Sequence, residues 1–148
     1  MKRFRFPLQR LLDLEERRCE QAKLALAAAV ARAHEAESRE RAVRRHLDAA
    51  TERYREAILA GRLETPRVFG AQAEIDRLGV RLIAAREERK ELEAEVERRR
   101  AELAEVRGRE SVLRNRQLEA RQEWRRDAER QELDAIDEFL AGKRGRGR

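Results

Sequence analysis

The sequence predicts an all-α protein: a long antiparallel two-helix coiled-coil hairpin whose second helix is longer and overhangs the first. Three observations predict it. A 3.5-residue apolar period runs through two long stretches, the one cluster of helix-breaking residues lies between them, and charged residues make up 45% of the chain against 4% aromatic. That composition suits elements with much surface and little interior, so the 148 residues form one rod-like domain rather than a globular core.

The first helix is predicted over about 7–60. Its seam is Leu8, Leu12, Glu15, Cys19, Ala22, Leu26, Ala29, Ala33, Ala36, Glu40, Val43, Leu47, Ala50, Tyr54 and Ala57, and all but Glu15 and Glu40 are apolar. A stripe this narrow and this long is a coiled-coil seam, about 75–80 Å of helix at about 1.5 Å per residue. Pro7 suits a first-turn position, because its missing N–H would be unpaired there.

The turn is predicted over about 61–66. Gly61 is the C-terminal stop, Thr65 the N-cap and Pro66 the first residue of the next helix. The second helix is predicted over about 67–140. Its seam is Val68, Ala71, Ile75, Leu78, Leu82, Ala85, Arg89, Leu92, Val96, Arg99, Leu103, Val106, Glu110, Leu113, Gln117, Ala120 and Trp124. Gly70, Gly79 and Gly108 break no phase, so they predict softness rather than a stop. After Trp124 the phase slips, and Leu133, Ile136 and Leu140 continue displaced.

A turn near 61–66 puts residue i beside about 127−i. Residues from about Arg121 to Leu140 then have no partner, which leaves Trp124, Leu133, Ile136, Phe139 and Leu140 as an uncovered stripe. The tail 141–148 reads as disordered.

Charge is uneven. Residues 1–10 contribute +4 and residues 143–148 contribute +4 to a net +6, so the stretch between is about −2. Basic ends admit nucleic-acid binding by phosphate neutralisation, but aromatic interleaving is confined to Phe4 and Phe6, which argues against it as the main function. No apolar run approaches the ~20 residues of a membrane span. No secretory leader is discernible, and the lone Cys19 fits a reducing compartment. A cytoplasmic protein is expected.

No catalytic constellation is present, so the chain is expected not to be an enzyme, with no cofactor, metal or small-molecule substrate. His34 and His46 join no cluster with metal-ligand spacing. The many glutamates read as solvated i,i+4 partners of arginine, and Cys19 as a small buried seam residue. Tyr54 sits in the seam near the turn, where it can pack and bind at once.

The opening Met1-Lys-Arg-Phe-Arg-Phe-Pro-Leu-Gln-Arg-Leu-Leu-Asp-Leu-Glu15 resembles that of the FliJ family of the bacterial flagellar export apparatus: basic residues and two phenylalanines, then a leucine-rich first turn. Arg130-Gln-Glu-Leu-Asp-Ala-Ile-Asp-Glu-Phe139 resembles the family's closing pattern. The resemblance covers nearly the whole chain through short motifs. Secretion stalk proteins of the YscO kind share the architecture, so a virulence-type system is an alternative, as is a coiled-coil scaffold binding nucleic acid through its ends.

What the resemblance implies is a stalk for flagellum biogenesis, type III protein transport and motility. It would insert into the hexameric export ATPase (FliI-like), regulate it, and reach the membrane export gate (FlhA-like), cycling export chaperones. It would lie at the cytoplasmic face of the inner membrane. The ATPase-facing end would be Phe4, Phe6, Leu8, Leu12, Trp124, Leu133, Ile136, Asp137, Glu138, Phe139 and Leu140. The gate-facing patch would be Tyr54, Val68, Ala71, Ile75 and Leu78, although the family patch is more aromatic on its second helix than Val68 and Ala71 supply.

Overall fold

The computed structural model describes residues 3–61 and 66–145. Two helices account for nearly all of them: α1 (Gln9–Leu59) and α2 (Pro66–Gly145), and there is no strand among the described residues. The helices pack on one another as a helical hairpin, antiparallel and with α2 the longer.

Local chemistry sets the ends. Pro7 and Leu8 form a turn rather than the first helical residues, and Gln9 N–H donates to the Phe6 carbonyl at 3.1 Å. At the other end of α1, Gly61 has φ +71°, the left-handed conformation that closes a helix at little cost only with glycine. Its N–H donates to the Ile58 carbonyl at 3.0 Å. Pro66 opens α2, and the expected cap Thr65 lies outside the described residues. α2 runs five residues past the expected end at 140, through Gly145. No proline stops it, and Lys143 Nζ sits 4.8 Å from the centre of the Phe139 ring one turn back. The rest of the tail expected to be disordered, 146–148, is not described.

The seams are the core. Every predicted seam position in α1 is buried or half-buried, only Leu8 before it being exposed, and in α2 all of them are, from Val68 to Trp124. The chain divides into two compact units, Met1–Gln21 with Ala104–Arg148, and Ala22–Leu103. Within the second, Ala29, Ala36 and Ala50 are almost fully enclosed beside Val68, Leu78, Leu82, Val96 and Leu103. Within the first, Leu12, Cys19 and Leu113 are buried with the carboxylate of Glu15. Glu15 Oε1 accepts from Arg18 at 2.8 Å, while Oε2 has no hydrogen-bond partner among the described residues.

Polar pairs mark the register. In the second unit, Arg53 donates to Glu74 at 3.0 Å and Arg39 to Glu88 at 2.7 Å, both on the 127−i rule. In the first, Arg114 donates to Glu16 and Gln117 to Gln9, displaced from that rule by a few residues at most.

The seam acid Glu40 is met across the interface by Arg89 at 2.5 Å and Arg86 at 3.3 Å. Burial is the largest influence on its carboxyl and acts upward. The hydrogen bonds and charges of Arg89 and Arg86 together outweigh it and hold the group below the usual glutamate value. A lowered folded value means that Glu40's contribution is complete above the unfolded pKa of about 4.3. It is lost as pH falls through the folded value. Urea unfolding between about pH 7 and about pH 3 should therefore show a smaller acid loss for Glu40→Gln than for the native chain. Equal losses would mean that Glu40 carries none of the acid sensitivity.

α2 passes through Gly108 without a break, and a Cβ added there meets nothing within 4 Å. Since Gly is worse than Ala by about 0.8–1 kcal/mol inside a helix, Gly108→Ala should raise unfolding stability by roughly that amount. A loss of stability would show that α2 bends at Gly108 in solution.

Candidate functional site

Among the places where apolar side chains face outward, two are candidate docking sites, one in each unit. The first is built where residues before α1 fold back along α2. Phe4 and Phe6 are half-buried there, and the Phe4 ring packs on Trp124 with centroids 6.0 Å apart and planes tilted by 57°. Trp124 is thus covered from within its own unit. The uncovered extension begins later than the expected Arg121, since Ala128 is still half-buried and every residue from 131 to 144 is exposed.

Beside the aromatic pair lies an open cleft of about 930 Å³. Arg3, Arg5, Arg10, Arg121 and Arg125 line it together with Phe4, Phe6, Leu118 and Trp124, and no acidic residue does. None of these five arginines has an ion-pair partner among the described residues. The sequence showed the basic N-terminus. It did not show that Arg121 and Arg125, one turn apart, join it, because a non-helical segment carries no periodicity from which its path can be read.

Past the cleft, α2 carries Leu133, Ile136, Phe139 and Leu140, each more than half exposed, with Asp137 and Glu138 exposed between them. Leu8 lies at the edge of the seam. Leu12 does not present itself: it is the most enclosed large side chain among the described residues, because it holds a seam position. The outward leucines of that turn are Leu11 and Leu14, about 40% exposed. Their signal was present in the sequence as apolar residues off the seam phase.

The second place is at the turn-proximal half of the other unit. Val68 and Leu78, expected on a docking patch, are buried in the seam, while Tyr54, Ala71 and Ile75 are half-buried. What faces outward is Phe69, Val80 and Ile83, each about two-thirds exposed, and Leu59 at 80%. Phe69, Val80 and Ile83 lie at i, i+11 and i+14, one stripe of α2. Phe69, next to the buried Val68, is the aromatic residue of that stripe.

Among the described residues no group of three or more His, Cys, Asp or Glu side chains is arranged to bind a metal. Cys19 is a buried free thiol, and His34 is exposed, 3.8 Å from Glu37. No described helix is long and apolar enough to cross a membrane. Such an arrangement can dock partners at two sites. No protein-family model, no curated protein and no solved structure matches the chain.

Proposed function

We propose that this chain is a non-enzymatic stalk component of the flagellar protein export apparatus, working at the cytoplasmic face of the inner membrane. The observation that carries the reading is the uncovered end of α2, where Leu133, Ile136, Phe139 and Leu140 project from a helix that nothing in its own unit covers. A monomer gains nothing from exposing such a stripe, so it supports insertion into a partner. With the N-terminal Phe4, Phe6, Leu8, Leu11 and Leu14 it makes an end for the hexameric export ATPase. The outward stripe of Phe69, Val80 and Ile83, with Tyr54, Ala71 and Ile75 behind it, supports a separate contact with the membrane export gate. The same surfaces are available for export chaperones.

Adding the purified protein to the cognate export ATPase should promote hexamer formation and raise ATP turnover. No change in either would overturn the reading. The cleft of five arginines beside Phe4, Phe6 and Trp124 favours a second reading, nucleic-acid binding at this end. Tight DNA or RNA binding with a steep salt slope, and no effect on the ATPase, would select it.

A further inference from the structure

The outer face of α2 in the unit of Met1–Gln21 and Ala104–Arg148 changes sign partway along. Leu118, Arg121 and Arg125 line the arginine cleft, and the next turns of the same face bring Glu129, Glu132, Ile136 and Phe139, spaced by threes and fours. A second, smaller cleft of about 420 Å³, lined by Trp124, Arg125, Ala128, Glu129 and Glu132, runs from the basic half onto the acidic half. Residues 129–140 hold five acids against Arg130 alone. Among the described residues neither Glu129 nor Glu132 makes an ion pair, and neither do Arg121 and Arg125.

A face that is basic and then acidic along one helix is self-complementary when two copies meet antiparallel. A two-fold axis near Ala128 places Arg125 opposite Glu132 and Leu118 opposite Phe139, and both contacts occur twice. The same pairing lays the exposed apolar stripe of each copy against the rim of the other's aromatic cleft. We propose that the chain self-associates into an isologous dimer, the acidic apolar extension of each copy seated on the arginine-lined cleft of the other. The second copy is favoured over another protein because both halves of the complementarity are carried by this chain. The inference does not depend on the stalk reading. The two are linked only in that dimer and ATPase would compete for one surface.

Sedimentation equilibrium of the purified full chain, with no partner added, tests it. A monomer–dimer equilibrium should appear between micromolar and half-millimolar loading and weaken as salt rises. Arg121→Glu with Arg125→Glu should weaken self-association roughly tenfold or more, as should Glu129→Arg with Glu132→Arg, since each leaves this face with a single sign of charge. All four positions are exposed, so circular dichroism should show native helix content in both variants. Mixing the two variants should restore dimers, because in the heterodimer every reversed charge meets its opposite. A native chain that stays monomeric throughout overturns the proposal. So does a dimer unchanged in both variants, or a mixture that fails to associate.

Discussion

Replacing Ala29 and Ala36 together by leucine should destabilise the hairpin by about 2–6 kcal/mol, at about 1–3 kcal/mol for each overpacked site. Both alanines are essentially sealed, at 0% and 1% exposure, in the seam of the unit Ala22–Leu103. Small residues at such positions let two helices approach closely, and a leucine has no space to enter without pushing α2 away or adopting a strained rotamer. The sites are two turns apart, so their costs should nearly add. Ala28→Leu is the control. Ala28 is exposed, and leucine and alanine differ little in helix propensity, so this change should leave stability almost unaltered. Urea unfolding followed by circular dichroism separates the outcomes, since domains have only about 5–15 kcal/mol to lose. If both changes are neutral, the alanine seam is loosely packed and the register rests on its polar pairs.

Those polar pairs explain why the fold was legible. A 3.5-residue period identifies both seams without any tertiary information, and one Gly/Thr-Pro cluster leaves a single hairpin register. Arg39–Glu88 and Arg53–Glu74 then fall on 127−i because antiparallel helices of equal rise admit only one alignment about a given turn. Glu40 looked like a flaw in the seam, and it is resolved by two arginines from the facing helix.

The candidate sites were less legible, for two physical reasons. Residues 3–8 are not helical, so nothing periodic in them signals that Phe4 will cover Trp124 or that Arg3 and Arg5 will converge with Arg121 and Arg125. A heptad pattern also names the residues that face inward. Leu12, Val68 and Leu78 were expected at docking surfaces, yet their seam phase buries them. The outward candidates are among the apolar residues that violate the phase, such as Leu11, Leu14, Phe69, Val80 and Ile83. In a coiled coil the off-phase apolar residue is the better pointer to a partner.

On the stalk reading, Ile136→Asp together with Phe139→Asp should abolish binding to the export ATPase while leaving helix content almost unchanged. Both side chains are more than half exposed, so neither supports the hairpin, and their loss costs the free protein little. In a complex each buried large side chain contributes roughly 1.5–3 kcal/mol. Exposed ion pairs contribute about 0–1 kcal/mol each, so two apolar anchors outweigh the surrounding charges. Aspartate at both positions removes that gain and adds carboxylates that must be desolvated on insertion. Deleting Lys143–Arg148 probes the opposite mechanism, and it should slow association and flatten its salt dependence without abolishing it. Titrating ATPase turnover with native, double-aspartate and tail-deleted protein distinguishes the two. If the tail deletion abolishes stimulation and the double-aspartate protein stimulates normally, charge holds the complex and the apolar stripe has another use. If only the double-aspartate protein fails, the stripe at the end of α2 is the anchor by which the hairpin enters its partner.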